Sequence, residues 1–245
     1  DAKPDDPVPL RVVLDYRQVN ARSLPDRYSI KEVRECIDAI GKEHSAVFSA
    51  IDLTSGFWQQ ELEEESRQYT AFSVPSRGLR LQWRVAPMGL QGSPASFARL
   101  MDYVMTGLKN VLTYIDDVLC HDRSHETHLR TLEQVFLRLR RYGLKLNADK
   151  SIFGAAEVQY LGYTINAEGV TLSKDKFAAI RDFPMPTTIR NVREFVGLVN
   201  YFRFLIPHFN RLTEPLTRLT RKEINWQGGK LPPTAATAFN TLREA

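Results

Sequence analysis

The stretch Tyr114-Ile115-Asp116-Asp117 constrains this chain more than any other. It lies between two short apolar runs, Val111-Leu112-Thr113 and Val118-Leu119-Cys120. Both runs are too short for helices and rich in β-forming residues, so the pattern predicts strand, tight turn, strand. Adjacent carboxylates at a hairpin tip repel each other, a cost to stability that bound cations remove. Hard oxygen ligands on a rigid turn suit Mg²⁺, which keeps several waters and takes substrate phosphates as further ligands. Taken alone, the tetrapeptide fits a solvated turn equally well.

A second acid ends another predicted strand, Ala46-Val47-Phe48-Ser49-Ala50-Ile51-Asp52. Leu53-Thr54-Ser55-Gly56-Phe57 follows it, a tight backbone and then an aromatic ring. If the two strands are neighbours in one antiparallel sheet, Asp52 meets the hairpin acids. Such carboxylates can hold two cations about 3.5–4 Å apart, a separation that suits in-line phosphoryl transfer.

Elsewhere the chain alternates short strands with amphipathic helices. Pro4, Pro7 and Pro9 rule out a helix at the start, and Arg11–Arg17 predicts a strand. Ser29–Ile40 predicts a helix stopped by Gly41, and two strands, Tyr69–Val74 and Leu79–Val85, flank a turn at Pro75–Gly78. Ser93 and Pro94 suit the N-cap and first position of a helix whose stripe runs from Phe97 through Met101 and Met105 to Leu108. Ser124 caps a further helix to Tyr142, with Leu129, Leu132, Val135, Phe136 and Leu139 inward. His121, His125 and His128 lie near its start. No cysteine or acid completes convincing metal-ligand spacing, so they read as solvated histidines.

Short strands are expected at Leu144–Leu146, Ser151–Phe153 and Val158–Ile165, and a turn at Asn166–Gly169. Ser173 starts a helix that Pro184 and Pro186 stop, with a hinge at 184–187. A helix over Thr188–Leu205 turns Val192, Phe195, Val196, Val199 and Phe202 inward, and a shorter one carries Leu212, Leu216 and Leu219. The tail from Trp226, with Gly228-Gly229 and Pro232-Pro233, reads as a linker.

Charge is unevenly placed. Residues 174–223 hold ten Lys and Arg against five Asp and Glu, whereas residues 1–173 hold 21 against 23. A basic segment on a near-neutral body fits a polyanion such as nucleic acid, or a solvated helical face. With 245 residues there is enough chain for one large domain or two small ones. Two cysteines, Cys36 and Cys120, make no disulfide framework, so a reducing compartment is expected. No apolar run is long enough for a membrane span and no signal peptide is visible. The chain opens at Asp1 as a cut piece would.

Several stretches together carry a resemblance: RVVLDYRQVN (Arg11–Asn20), FSAIDLTSGFWQ (Phe48–Gln59), APMGLQGSPASFARLM (Ala86–Met101), YIDDVL (Tyr114–Leu119), LKLNADKSIF (Leu144–Phe153), YLGY (Tyr160–Tyr163) and FVGLVNYFRFLIP (Phe195–Pro207). In order and spacing they resemble the reverse transcriptase domain of gypsy-type LTR retrotransposons (Metaviridae), with retroviral enzymes as more distant relatives. The resemblance covers nearly the whole chain. It implies an α+β right-hand polymerase with partial fingers, a palm whose antiparallel sheet packs on helices, and a helical thumb. By position, residues 1–45 would be partial fingers, 46–68 palm, and 69–92 the fingers hairpin and return. Residues 93–173 would be palm with the primer grip, 174–223 thumb, and 224–245 the start of a connection toward an RNase H domain.

The same resemblance implies residue roles. Asp52 and Asp116 would be the main ligands of Mg²⁺, or Mn²⁺ in its place. The Leu53 carbonyl would assist, and Asp117 would be the third catalytic acid. Arg11 matches the fingers arginine on the incoming triphosphate, where guanidinium offers several donors. Lys3 matches its companion lysine, one residue further away than in retroviral enzymes. Ser55, Gly56 and Phe57 would line the nucleotide site, the Phe57 ring leaving no room for a 2′-hydroxyl. Met88 stands where retroviral enzymes have a glutamine. Tyr160, Leu161, Gly162 and Tyr163 would grip the primer end, and Arg193, Gly197, Asn200 and Tyr201 would track the minor groove.

The implied partners are an RNA or DNA template with its primer, dNTPs, and the RNase H and integrase domains of one polyprotein, in cytoplasmic virus-like particles. The fingers segment ahead of Lys3 and the RNase H acids are not in this sequence, so no RNA degradation is expected of it. Two other readings compete. One is a catalytically silent, host-retained derivative that binds nucleic acid or protein, against which the three intact acids argue. The other is an RNA-dependent RNA polymerase, against which Phe57 argues.

Overall fold

The alternation of apolar residues around Asp52 and the hairpin acids does produce neighbouring strands. In the computed structural model, residues 13–31, 33–42, 44–221, 223–224 and 226–244 are described. Contacts divide the chain into Asp1–Ala156 and Glu157–Ala245.

The first unit begins with helices α1 (Arg17–Asn20) and α2 (Val33–Lys42), strand β1 (Val47–Leu53) and the short α3 (Glu64–Arg67). The hairpin β2 (Phe72–Val74) and β3 (Leu79–Leu81) leads to α4 (Ser93–Met105). The pair β4 (Val111–Tyr114) and β5 (Asp117–Asp122), helix α5 (His125–Arg141) and β6 (Leu146–Ala155) complete it. Four strands form one sheet in the order β4-β5-β1-β6, with antiparallel neighbours throughout. Ile51, Leu53, Val118 and Cys120 join Phe97, Met101, Val104 and Met105 of α4 and Leu132, Val135 and Leu139 of α5 in one buried cluster. One sheet face is therefore the core, and the alternate residues, Asp52 among them, belong to the other.

The second unit opens with the meander β7 (Glu157–Tyr160), β8 (Tyr163–Asn166) and β9 (Gly169–Leu172). Four helices follow: α6 (Lys174–Arg181), α7 (Ile189–Asn200), α8 (Phe209–Arg218) and α9 (Pro233–Glu244). Val192, Phe195, Val199 and Phe202 are buried as the periodicity predicts, and Thr188 caps α7 by accepting from the Asn191 amide at 3.1 Å. No helix among the described residues is long and apolar enough to cross a membrane.

Several elements differ from expectation. Arg11 lies outside the described residues, and the described part of the predicted 11–17 strand is irregular. Asp15 accepts from the Arg17 amide at 3.0 Å and so bends the chain into α1. Helix α2 starts at Val33 rather than Ser29 and runs through Gly41. The chain before it is tied down instead, since the Tyr28 hydroxyl and Lys31 ammonium donate to Asp102 at 2.6 and 2.7 Å. Gly92, not Ser93, is the N-cap of α4, and the Ser93 hydroxyl donates to the Pro87 carbonyl at 3.2 Å. Leu129 and Phe136 of α5 are exposed, and buried His128 takes a place in its inner stripe.

Three corrections matter most. His121 and His128 are buried, not solvated: each is only 1% exposed. The run Val158–Ile165 is two strands, because Leu161 and Gly162 take φ of 51° and 82° and turn the chain. The predicted linker contains α9, whose Ala235, Ala238, Phe239 and Leu242 recur at helical spacing and are buried. Pro233 opens that helix, where a missing N–H costs nothing.

Candidate active site

Asp52 and Asp117 are direct partners across the β1–β5 ladder, and Tyr114 pairs with Asp117 to close the hairpin. Opposed residues of an antiparallel pair present side chains to the same face. Two chain-distant acids are thus brought together by register, with Asp116 one residue away in the turn. Ile115 sits in that turn at φ 58°, a left-handed conformation that β-branched residues rarely adopt. Such a residue costs on the order of 1–3 kcal/mol and persists only where its surroundings enforce it. Here Ile115 packs against the core cluster, which offsets the strain and holds the tip.

The loop after β1 closes on the same tip. Ser55 takes φ 51°, and Gly56–Gln59 forms a single 3₁₀ turn. Gly56 is buried, and a Cβ there would meet the Asp116 Cβ at 3.0 Å, so backbone packs where a side chain would not fit. Phe57 follows, its ring edge-on to Phe97 with centroids 5.7 Å apart. Gln59 fixes the far end: its amide donates to the carbonyls of Thr54 and Lys145 at 2.7 and 2.9 Å and accepts from the Lys145 amide at 2.6 Å.

Electrostatics mark the site. Burial, then the charges of Asp116 and Asp52, push the Asp117 carboxyl up to about 6. Burial and two neighbouring acids both disfavour the charged form, and a divalent cation would favour it. Among the described residues no three acidic, His or Cys side chains already form a ready-made cage. Mg²⁺ does not require one, since it binds through one or two carboxylates plus waters and phosphates.

Met88 is half-buried in a loop that Asn20 fixes from both sides. The Asn20 amide donates to the Gly89 carbonyl at 2.9 Å, and its carbonyl oxygen accepts from the Gln91 amide at 2.9 Å. Asn20 lies in the Arg11–Asn20 stretch, where a positioning amide leaves no sequence signal of its own. Lys3 and Arg11 lie outside the described residues.

In the second unit, Leu161, Gly162, Gly197 and Tyr201 line one groove of about 480 Å³, together with Lys176, Leu198 and Phe202. Tyr201 donates its hydroxyl to the Leu161 carbonyl at 3.1 Å, and Tyr163 donates to the Tyr201 carbonyl at 3.0 Å. Tyr160 and Tyr163 are buried behind the turn rather than presented on it. Arg193 and Asn200 are exposed and do not line the groove, and the Arg193 guanidinium donates to the Thr220 carbonyl at 3.3 Å.

Residues 3–165 match the family profile described as reverse transcriptase (RNA-dependent DNA polymerase). The chain is 36% identical to a retrovirus-related Pol polyprotein from transposon 297 of Drosophila melanogaster, over 90% of this chain and 21% of the relative. It is 30% identical to the corresponding polyprotein from transposon gypsy of the same organism, over 87% of this chain and 20% of the relative. A foamy viral protease-reverse transcriptase, solved in complex with double-stranded DNA, matches with a TM-score of 0.88 at 26% identity, over 98% of this chain and 42% of that one. This chain therefore spans about a fifth of the curated relatives' length. The expected α+β right-hand polymerase fold is the one observed.

Proposed function

The chain belongs to the reverse transcriptase (RNA-dependent DNA polymerase) family, and on that premise we propose that it is the polymerase part of an LTR-retrotransposon Pol polyprotein. In this reading it adds deoxynucleotides to a primer 3′-hydroxyl on an RNA or DNA template. The observation that carries the reading is the Asp52–Asp117 cross-strand pair, with Asp116 beside it in the turn that Ile115 strains.

Asp52, Asp116 and Asp117, with the Leu53 carbonyl, would hold Mg²⁺, or Mn²⁺ in its place. The bound ions would supply an activated hydroxyl nucleophile and charge stabilisation at the leaving pyrophosphate. The chain's own groups do the rest. The tight Ser55-Gly56 backbone packs against Asp116 and holds the hairpin tip in place beside the nucleotide site. The Phe57 ring, set edge-on against Phe97, closes the position a 2′-hydroxyl would need. Met88 offers the nucleotide an apolar contact in a loop that Asn20 holds still. Arg11 and Lys3 would grip the triphosphate.

We assign the palm role to residues 46–68 and 93–173, and the fingers roles to residues 1–45 and 69–92. Residues 174–223 take the thumb role. The groove of Leu161, Gly162, Gly197 and Tyr201 would seat the primer strand, with Tyr160 and Tyr163 as its buried support. Arg193 and Asn200 would reach the duplex from outside that groove. The basic excess of 174–223 suits sequence-independent phosphate contacts, which weaken as salt rises. RNase H and integrase domains of the same polyprotein, within intracellular virus-like particles, complete the proposed setting.

Primer extension on an RNA template with Mg²⁺ and dNTPs tests the reading. Asp116→Asn should abolish extension and leave template–primer binding intact. Extension by that variant at the parent rate would refute it.

A further inference from the structure

Strand β1 reaches Asp52 past two irregularities in its pairing with β6. The partners run Phe48 with Ala155, Ala50 with Ile152 and Asp52 with Asn147, so β6 carries extra residues at both steps. A bulge interrupts ladder hydrogen bonds, increases local twist and re-aims the side chains beside it. At each bulge here a serine hydroxyl replaces the missing ladder partner. The Gly154 amide donates to Ser49 Oγ at 2.9 Å. The amide of Asp52 itself donates to Ser151 Oγ at 3.1 Å, and Ser151 donates onward to the Asn147 carbonyl at 2.6 Å.

The upper serine is held in turn. Ser49 Oγ lies 2.6 Å from His128 Nε2, and His128 Nδ1 lies 2.8 Å from Asp122 Oδ2. Asp122 Oδ1 also accepts from Asn110 Nδ2 at 2.6 Å and Thr131 Oγ1 at 3.1 Å. A carboxylate oxygen accepts, so His128 donates from Nδ1–H to Asp122, which fixes the ring with Nε2 facing Ser49. Ser49, His128 and Asp122 are all 1% exposed or less. A Ser-His-Asp set so enclosed meets no substrate, and it acts as a fastening. It joins β1, β5, β6 and α5 three residues before Asp52.

We propose that Ser151 and Ser49 are positioning residues for Asp52, acting through the two β1–β6 bulges, with His128 and Asp122 orienting Ser49. The proposal rests on Asp52 being a metal ligand, as argued above. A carboxylate that must meet ions to within about half an ångström needs its backbone fixed in this way.

Ser151 is only half-buried, so its substitution should leave the chain folded. Mn²⁺ binding to the intact chain, read by electron paramagnetic resonance, tests the idea without requiring turnover. Ser151→Ala should weaken Mn²⁺ binding about tenfold, as loss of a supporting partner commonly does. It should raise the Mg²⁺ concentration for half-maximal extension by a similar factor. Ser151→Thr, which keeps the hydroxyl, should restore both. Ser49→Ala should act in the same direction. If the parent chain binds Mn²⁺ and Ser151→Ala binds it equally well, whatever its melting temperature, the positioning role is wrong. If the parent chain binds no more Mn²⁺ than Asp116→Asn does, the metal-site reading falls first and this proposal with it.

Discussion

A Cβ on Gly56 would stand 3.0 Å from the Cβ of Asp116 and 3.2 Å from the Phe97 ring. Neither neighbour is the free end of a flexible chain. Gly56→Ala should therefore displace the hairpin tip. Overpacking of this kind costs about 1–3 kcal/mol, and misplacement of a reacting group by an ångström costs about 10²-fold in rate. Extension assays beside urea melts should show the rate loss exceeding what the stability loss explains.

The crowded carboxylates predict a pH dependence of stability. The Asp117 carboxyl, pushed up to about 6 mainly by burial, binds its proton more tightly folded than unfolded. Its contribution is therefore unfavourable above about 6 and disappears as pH falls toward the ordinary value of 3.8. Asp117→Asn should raise the melting temperature at pH 7.5, and the advantage should shrink between about pH 6 and 4. Carboxyls held low by an arginine hydrogen bond, such as Asp26 with Arg99, act with the opposite sign and cancel in the parent–variant difference. Added Mg²⁺ should narrow the gap at pH 7.5.

Phe57 packs edge-on against Phe97 with the ring centroids 5.7 Å apart. Phe57→Val should open the space beside the sugar. Competition between dNTPs and rNTPs should show discrimination reduced by on the order of 10–100-fold, with dNTP incorporation retained. Unchanged discrimination would remove Phe57 from the sugar site.

Helix α9 should matter for stability. The Phe239 ring is fully buried and its centroid lies 4.5 Å from that of Phe195. Phe239→Ala should destabilise the unit by about 3–5 kcal/mol in chemical denaturation. A linker residue would leave the midpoint unmoved.

The sheet and its acids were legible because alternation and strand-end carboxylates report directly on register. Asp52 opposite Asp117 needed only the assumption that their strands pair. Helix α9 was also written in the spacing of Ala235, Ala238, Phe239 and Leu242, but the flanking Gly-Gly and Pro-Pro pairs outweighed it. His128 is hard to place from sequence for a different reason. It stands at helical spacing from Leu132, Val135 and Leu139, but the partners that make a polar ring tolerable there, Ser49 and Asp122, sit on two other elements and leave no mark in the helix itself. Ser151 was hidden likewise, since a β-bulge has no residue type of its own and shows only when both strands are in place.

Locating Mn²⁺ by anomalous scattering in crystals of the chain with template, primer and a nucleotide tests the central claim most directly. The account predicts ions shared by the Asp52 and Asp116 carboxylates, with Asp117 beside them and the nucleotide phosphates completing the coordination. Ions bound elsewhere, with Asp52 and Asp116 sharing none, would contradict it.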